Sequence, residues 1–251
     1  MKVLSYNVLC YGCEGHNWFD RKDDVLENVR MRNPDIFGLQ EAHYDWMKAF
    51  IAGMPDYDYV GVGRDDGKTD GEFSPVFYKR ERFDLLDKGW FWISETPDVP
   101  SLGFDSACIR ICSYAILRDR ATGKEFAAMD VHLDHVGVIA RQKGVEMINE
   151  KAAALGCPAL VMGDFNIPEK TGCYMDMLKP GLFNDSKFLA PYLENSYTFH
   201  PYFHHPKEAY EIIDFIFVTK EFKVTNYHVG RNTLHGALPS DHAPVIVDLE
   251  L

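Results

Sequence analysis

Positive charge is scarce in this 251-residue chain: 26 Lys and Arg stand against 38 Asp and Glu, a formal net charge of −12. Proteins that grip long nucleic acid usually present a basic face, because neutralising phosphates dominates that affinity. The deficit argues against long duplexes, although an acidic chain can still hold a local positive cleft, especially beside divalent cations. Long apolar runs are also missing. Nothing approaches the roughly 20 apolar residues that cross a bilayer, so no membrane span is expected. No apolar stretch precedes Lys2-Val3-Leu4-Ser5-Tyr6, which reads as a first strand rather than a signal peptide. The expectation is a cytoplasmic protein, though a trimmed secreted precursor would look the same. There is no Ser/Gly/Pro-rich tract, internal repeat or break in composition, so residues 1–251 are expected to form a single domain. The six cysteines include one Cys-x-x-Cys, Cys10 to Cys13. It lacks a second pair at metal-ligand spacing and follows a strand rather than opening a helix, against zinc or redox chemistry.

What the chain does have is core. At 46% hydrophobic, and long enough to bury roughly three quarters of its unfolded surface, it needs no disulfide framework. Short apolar runs at Val3–Val8, Asp35–Leu39, Tyr57–Val62, Val76–Tyr78, Ala107–Leu117, Glu125–His132, Ala159–Met162, Ile212–Val218, Val224–Val229 and Val245–Leu249 read as strands. Helical spacing marks Arg21–Arg32, stopped by Asn33-Pro34, then Ala42–Ile51 and Arg141–Leu155. Ala121-Thr122-Gly123 reads as a hairpin turn, and Arg64–Glu72 as a polar loop. Many strands with helices inserted between some of them imply two sheets packed face to face under helices.

Polar clusters stand at one end of six of the strands: Ser5-Tyr6-Asn7, Leu39-Gln40-Glu41, Asp130-Val131-His132, Gly163-Asp164-Phe165-Asn166, Ile213-Asp214-Phe215-Ile216 and, just before Val245-Ile246-Val247, Ser240-Asp241-His242. In that order, from Lys2 to about Glu250, they resemble the endonuclease/exonuclease/phosphatase superfamily of metal-dependent phosphoesterases. Gly71–Tyr78 and His132–Gly137 resemble a bacterial branch often compared with deadenylase-like and nocturnin-like members. The resemblance implies an α+β fold, a four-layer α/β/β/α sandwich of two packed, mostly antiparallel sheets covered by helices. Its active site would lie where strand ends of both sheets meet.

Hydrolysing a phosphate ester needs an aligned water, a base, and positive charge on the non-bridging oxygens. Mg²⁺, with Mn²⁺ as a substitute, suits this work because it takes hard oxygen ligands. The resemblance makes Glu41 a metal ligand, with Asn7 and Asp241 in or just outside the shell. A solvated strand-end Glu and a turn-forming Asn are the ordinary alternatives. Asp164 and Asn166 flank Phe165, so an extended segment would put both on one face. Asp164 is then placed to take the water's proton and Asn166 to orient it, while an Asx-turn into Ile167-Pro168 is the rival. The family pattern puts His242 at the phosphate, oriented by Asp214, and makes His132 the second histidine with Glu72 as its partner. Arg110, a cation inside an apparently apolar strand, is either a phosphate contact or a structural ion-pair member. His135 could shape the cleft, and the aromatic cluster around Tyr197-Thr198-Phe199 reads better as loop packing than as base stacking.

The expected activity is Mg²⁺-dependent hydrolysis of a phosphomonoester or phosphodiester by direct attack of water. A phosphorylated small molecule or short nucleic acid is the expected substrate, and no protein partner is evident. The alternatives are a nuclease or 3′-exonuclease on single strands, a zinc hydrolase, and a non-catalytic module that holds a phosphorylated ligand.

Overall fold

Five central strands carry almost no solvent-facing side chain, and the two-residue period of an extended chain divides their side chains between two cores. In the computed structural model, which describes residues 1–11, 17–194, 196–201, 211–230 and 238–251, the elements run in this order. They are β1 (Lys2–Asn7), α1 (Trp18–Arg32), β2 (Ile36–Gln40), α2 (Tyr44–Gly53), β3 (Tyr57–Val60), β4 (Val76–Lys79), β5 (Phe83–Trp92), β6 (Ile111–Asp119) and β7 (Glu125–His132). There follow α3 (Val138–Leu155), β8 (Ala159–Asp164), α4 (Gly172–Leu178), β9 (Phe183–Asp185), α5 (Ser186–Leu189), β10 (Leu193–Glu194), β11 (Asp214–Thr219), β12 (Lys223–Val229) and β13 (Val245–Glu250).

One sheet has the order β10-β12-β13-β1-β2-β4-β3 and the other β5-β6-β7-β8-β11-β9. Within them β1/β2, β7/β8 and β10/β12 pair in parallel and the remaining neighbours are antiparallel. Val3, Ile36, Val76 and Val247 of the first sheet meet Phe126, Ala128, Leu160, Met162 and Ile216 of the second in the central core. The alternate residues Leu4, Phe37 and Ile246 pack under Val25 and Val29 of α1 and Trp46 and Phe50 of α2. On the far side Ala127, Met129, Val161 and Phe217 pack under Val145 and Ile148 of α3 and Met177 of α4. The result is the four-layer α/β/β/α sandwich.

The helices stop where local chemistry stops them. The N-cap Asn17 of α1 accepts from the Phe19 amide, and Asn33, just before Pro34, closes the helix in the left-handed region at φ 47°. Two readings of the sequence need correction. Arg110 does not sit inside a strand: β6 begins at Ile111, and Arg110 is the buried residue before it. The ten-residue β5 was not anticipated, because its middle is exposed at an edge of the sheet and a register shift between Leu85 and Asp87 breaks its alternation. Among the described residues no helix is long and apolar enough to cross a membrane.

Candidate active site

Toward one end of the sandwich the inward-facing residues change from apolar to polar: Val3 gives way to Ser5 and Asn7, Ala128 to Asp130 and His132, Met162 to Asp164. Parallel pairing of β7 with β8 sets His132 opposite Asp164, and antiparallel pairing of β11 with β8 sets Asp214 opposite Asp164 from the other side. The first sheet supplies Asn7 at the end of β1, Glu41 just past β2, and Asp241 and His242 just before β13. Gly163 lets Asp164 reach this position. It holds φ +152°, and a Cβ there would lie 2.0 Å from the Val131 carbonyl oxygen.

Asn7 bridges the two sheets. Its Nδ2 donates to Glu41 Oε1 and to Asp164 Oδ2, both at 3.0 Å, while its Oδ1 accepts from the Leu9 amide at 3.0 Å. The amide nitrogen, not the oxygen, therefore faces Glu41. The other Glu41 oxygen accepts from the Cys10 amide at 2.8 Å, and Glu41 itself is held at φ 61°. Burial works against its charged form, but the Asn7 hydrogen bond, the positive His242 and the Cys10 amide outweigh it, so its carboxyl lies below the usual range.

Asp164 and Asn166 share the cleft, but through a turn rather than strand alternation. Asn166 adopts φ 50° and its amide donates to Asp164 Oδ1 at 2.9 Å, an Asx-turn. Asn166 Nδ2 then donates to the Leu133 carbonyl at 3.0 Å and lies 3.1 Å from His132 Nε2. Burial, then the neighbouring Asp214 charge, push the Asp164 carboxyl up to about 7.

The surroundings of the two histidines push their protonation in opposite directions. His242 Nδ1 donates to Asp214 Oδ2 at 2.9 Å. Burial alone would lower its pKa, but Asp214, with Asp164 and Asp241 nearby, holds it well above the ordinary value. The Asp214 side is fixed in turn by Thr198, whose Oγ1 accepts from the Ile213 and Asp214 amides, and Phe199 packs on the His242 ring at 4.9 Å. His132 is the reverse: burial first, then the positive Arg110 and Arg64, hold it well below its ordinary value. Its Nδ1 lies 3.9 Å from Glu72 Oε2, within reach but not bonded, because Arg64 NH1 donates to that carboxylate at 2.6 Å.

Arg110 and His135 form a second cluster beside this one. Arg110 NH2 lies 3.1 Å from His135 Nδ1, and its Nε lies 3.4 Å from Asp134 Oδ2. Asp134 also accepts from the amides of Ala107, Cys108, Val136 and Gly137. These hold its carboxyl well below the usual range in spite of burial. Cys108, Asp134 and His135 offer ligand atoms within 4.8 Å of one another. With Asp134 already saturated by donors and a guanidinium beside it, that triad is a loop anchor rather than a metal site. Arg110 is only 3% exposed, and among the described residues its NH1 has no partner.

The donor set fits a hard divalent cation. Glu41, Asp164, Asp214 and Asp241 converge on one rim, and burial pushes Asp241 up as well as Asp164, a crowding of carboxyls that a cation would offset. Ligand atoms of Asp164, Asp214 and His242 lie within 4.8 Å of one another, although His242 Nδ1 is already committed to Asp214. His200 and His204 have the His-x-x-x-His spacing of zinc hydrolases, but Pro201 between them is at odds with the shared helix that motif needs. His204, like Cys13, lies outside the described residues. Reasoning from sequence missed the roles of Ser240, whose Oγ donates to the Asn7 carbonyl at 2.8 Å, and of Arg64.

An endonuclease/exonuclease/phosphatase protein of Bacteroides vulgatus is 37% identical with a TM-score of 0.94, covering 100% of this chain and 98% of that one. A mannosyl-6-phosphatase of Bacteroides thetaiotaomicron is 36% identical with a TM-score of 0.91, covering 100% of both. Drosophila melanogaster Nocturnin is 24% identical across 100% of this chain, which spans only 47% of that protein. The Endonuclease/Exonuclease/phosphatase family profile matches residues 4–242. This chain belongs to that family and is a hydrolase of phosphoester bonds.

Proposed function

We propose that this chain is a Mg²⁺-dependent phosphatase that releases phosphate from small phosphorylated sugars, acting as one domain across residues 1–251. The carrying observation is the convergence of two histidines on Asp164, one held neutral and one held positive. Asp164 is the base: its carboxyl lies at about 7, near the working range of a group that must take a proton from water. Its Oδ1 is fixed by the Asn166 amide, and its Oδ2 accepts from Asn7 Nδ2 with both imidazoles nearby. His242, fixed by Asp214, presents Nε2–H to a phosphate oxygen and stabilises charge as it develops. Asn166 orients the water or a phosphate oxygen, and neutral His132 stands on the leaving-group side. Arg110 NH1, buried and without a partner among the described residues, would donate to the phosphate. A Mg²⁺ ion held by Glu41 and Asp241 would supply positive charge to the phosphate; Asn7, whose oxygen is taken by the Leu9 amide, would fix the Glu41 carboxylate instead of ligating the ion.

Two features favour a small, uncharged leaving group. The mannosyl-6-phosphatase likeness spans both chains in full. The cleft beside Glu72 is lined by Tyr44, Arg64, Asp65, Thr69 and Asp70, and its cation is already engaged, with Arg64 on Glu72 at 2.6 Å and near Asp65 at 3.8 Å. A second phosphate would meet carboxylates there. The alternative is 3′-exonuclease action on short single strands, which the partial matches to Ccr4 exoribonucleases and Nocturnin support. A screen of hexose phosphates, mononucleotides, dinucleotides and oligonucleotides with Mg²⁺ or Mn²⁺ separates the two. Phosphate release from hexose phosphates is expected. Shortening of oligonucleotides without release from any monoester would overturn the phosphatase reading.

A further inference from the structure

Directly beneath the catalytic rim, the central core holds a polar layer that no step of the proposed reaction uses. Ser5 of β1, Gln40 of β2, Ser113 of β6 and Asp130 of β7 are all fully buried. Gln40 Nε2 donates across the gap between the sheets to Asp130 Oδ1 at 2.6 Å, and to Ser5 Oγ at 3.3 Å. The backbone is shaped for this contact. Gly38 lies opposite Ser5 in the register of β1 with β2, and a Cβ there would sit 2.3 Å from Asp130 Oδ1 and 2.6 Å from its Cγ. The strand gives up a side chain so that the carboxyl can cross.

Stability does not explain the arrangement. A buried polar pair costs desolvation on both sides, and apolar residues of matching shape are often as stable or more so. Three atoms of this layer, Asp130 Oδ2, Gln40 Oε1 and Ser113 Oγ, have no hydrogen-bond partner among the described residues. Position does explain it. Gln40 immediately precedes Glu41, whose backbone is held in the left-handed region at φ 61°. Asp130 lies two residues before His132 on the same face of β7, and His132 stands opposite Asp164.

We propose that Gln40 and Asp130 are a positioning pair, setting the spacing and register between the strand end that carries Glu41 and the one that carries His132 and Asp164. Neither side chain touches substrate. The pair acts through the relative placement of two half-sites that come from different sheets. Burial pushes the Asp130 carboxyl well above the usual range, so a neutral amide of the same shape can replace it.

The test compares Asp130→Ala, Asp130→Asn, Gln40→Leu and the double variant Gln40→Leu/Asp130→Ala. Turnover is read on p-nitrophenyl phosphate and on any substrate the screen identifies. The shift in thermal midpoint on adding Mg²⁺ or Mn²⁺ without substrate is read separately, so the pair can be judged even if the phosphatase reading fails. Asp130→Ala should lower kcat about 10–100-fold with little change in KM, as expected when reacting groups are misplaced by an ångström or less. It should also shrink the metal-induced shift while circular dichroism remains that of the parent. Asp130→Asn should recover most of both, and the double variant should be no worse than the single one. If Asp130→Ala does not fold, Gln40→Leu, which keeps volume and removes the donor, carries the same expectation. A lowered thermal midpoint with parental kcat and parental metal response would reduce the pair to a packing feature and overturn the proposal, as would an Asp130→Asn variant as impaired as the alanine.

Discussion

The Nε2 atoms of His132 and His242 both lie near the same oxygen, Oδ2 of Asp164, at 3.5 Å and 3.7 Å. They arrive from different sides of the site, and their surroundings drive their protonation in opposite directions. The surroundings thus favour a neutral imidazole at His132 and an imidazolium at His242, a division that suits a base flanked by a proton carrier and a charge stabiliser.

That division is measurable in the metal-free protein. Nitrogen chemical shifts of the two rings near pH 7 should show His242 doubly protonated and His132 neutral. The sign for stability follows from linkage. Because the folded pKa of His242 is raised, its contribution is fully present below the unfolded value of about 6.5, and it is lost as pH rises through the folded value. Denaturant titrations of the parent should therefore lose stability over that window, and His242→Gln should show less of this loss. Two neutral rings at pH 7 would refute the assignment.

Asp164→Asn keeps the shape of the side chain and removes its basicity. Turnover should fall by about 10² or more while the thermal midpoint holds or rises, since the buried carboxyl disfavours ionisation. His242→Gln should be comparably severe. Near-parental rates for both would mean that the catalytic centre lies elsewhere.

Glu41→Gln should raise the Mg²⁺ concentration needed for half-maximal activity and lower turnover, with circular dichroism unchanged. Exhaustive EDTA treatment should abolish activity, and Mg²⁺ or Mn²⁺ should restore it. Activity that survives EDTA is incompatible with the metal role.

Much of this centre is legible in the sequence because each catalytic strand is a short apolar run that ends in a polar residue. Asn7, His132 and Asp164 close such runs, and Asp214 opens one. Three things were not legible. Arg110 reads as a strand residue because its neighbours Ile109 and Ile111 are apolar, and only the observed start of β6 moves it outside. Asn166 reads as either extended or part of an Asx-turn, and only the hydrogen bond from its own amide to Asp164 decides for the turn. The Gln40–Asp130 contact crosses between sheets, and no periodicity along one strand reports what the opposite sheet presents.

The charge yields a further expectation. Binding of single strands loses about 0.7 in log affinity per tenfold rise in salt for each phosphate neutralised. With a net charge of −12 and Arg64 already paired, the Asp164→Asn variant should show a slope shallower than about −2 for its best oligonucleotide, with Mg²⁺ constant. A slope near −4 with tight binding to long strands would favour the nuclease reading instead.

The pairing of β1 with β13, which aligns Val3 with Val247 and Ser5 with Val245, fixes when the enzyme can exist. β1 finds one of its two neighbours only in β13, so the sheet closes through a contact of very large sequence separation, the kind that slows folding. Asp241 and His242 enter on that same final segment. Until β13 docks beside β1, then, Asp241 and His242 have no fixed place and the centre is incomplete. Hydrolytic competence is expected to appear in one step, when that strand docks.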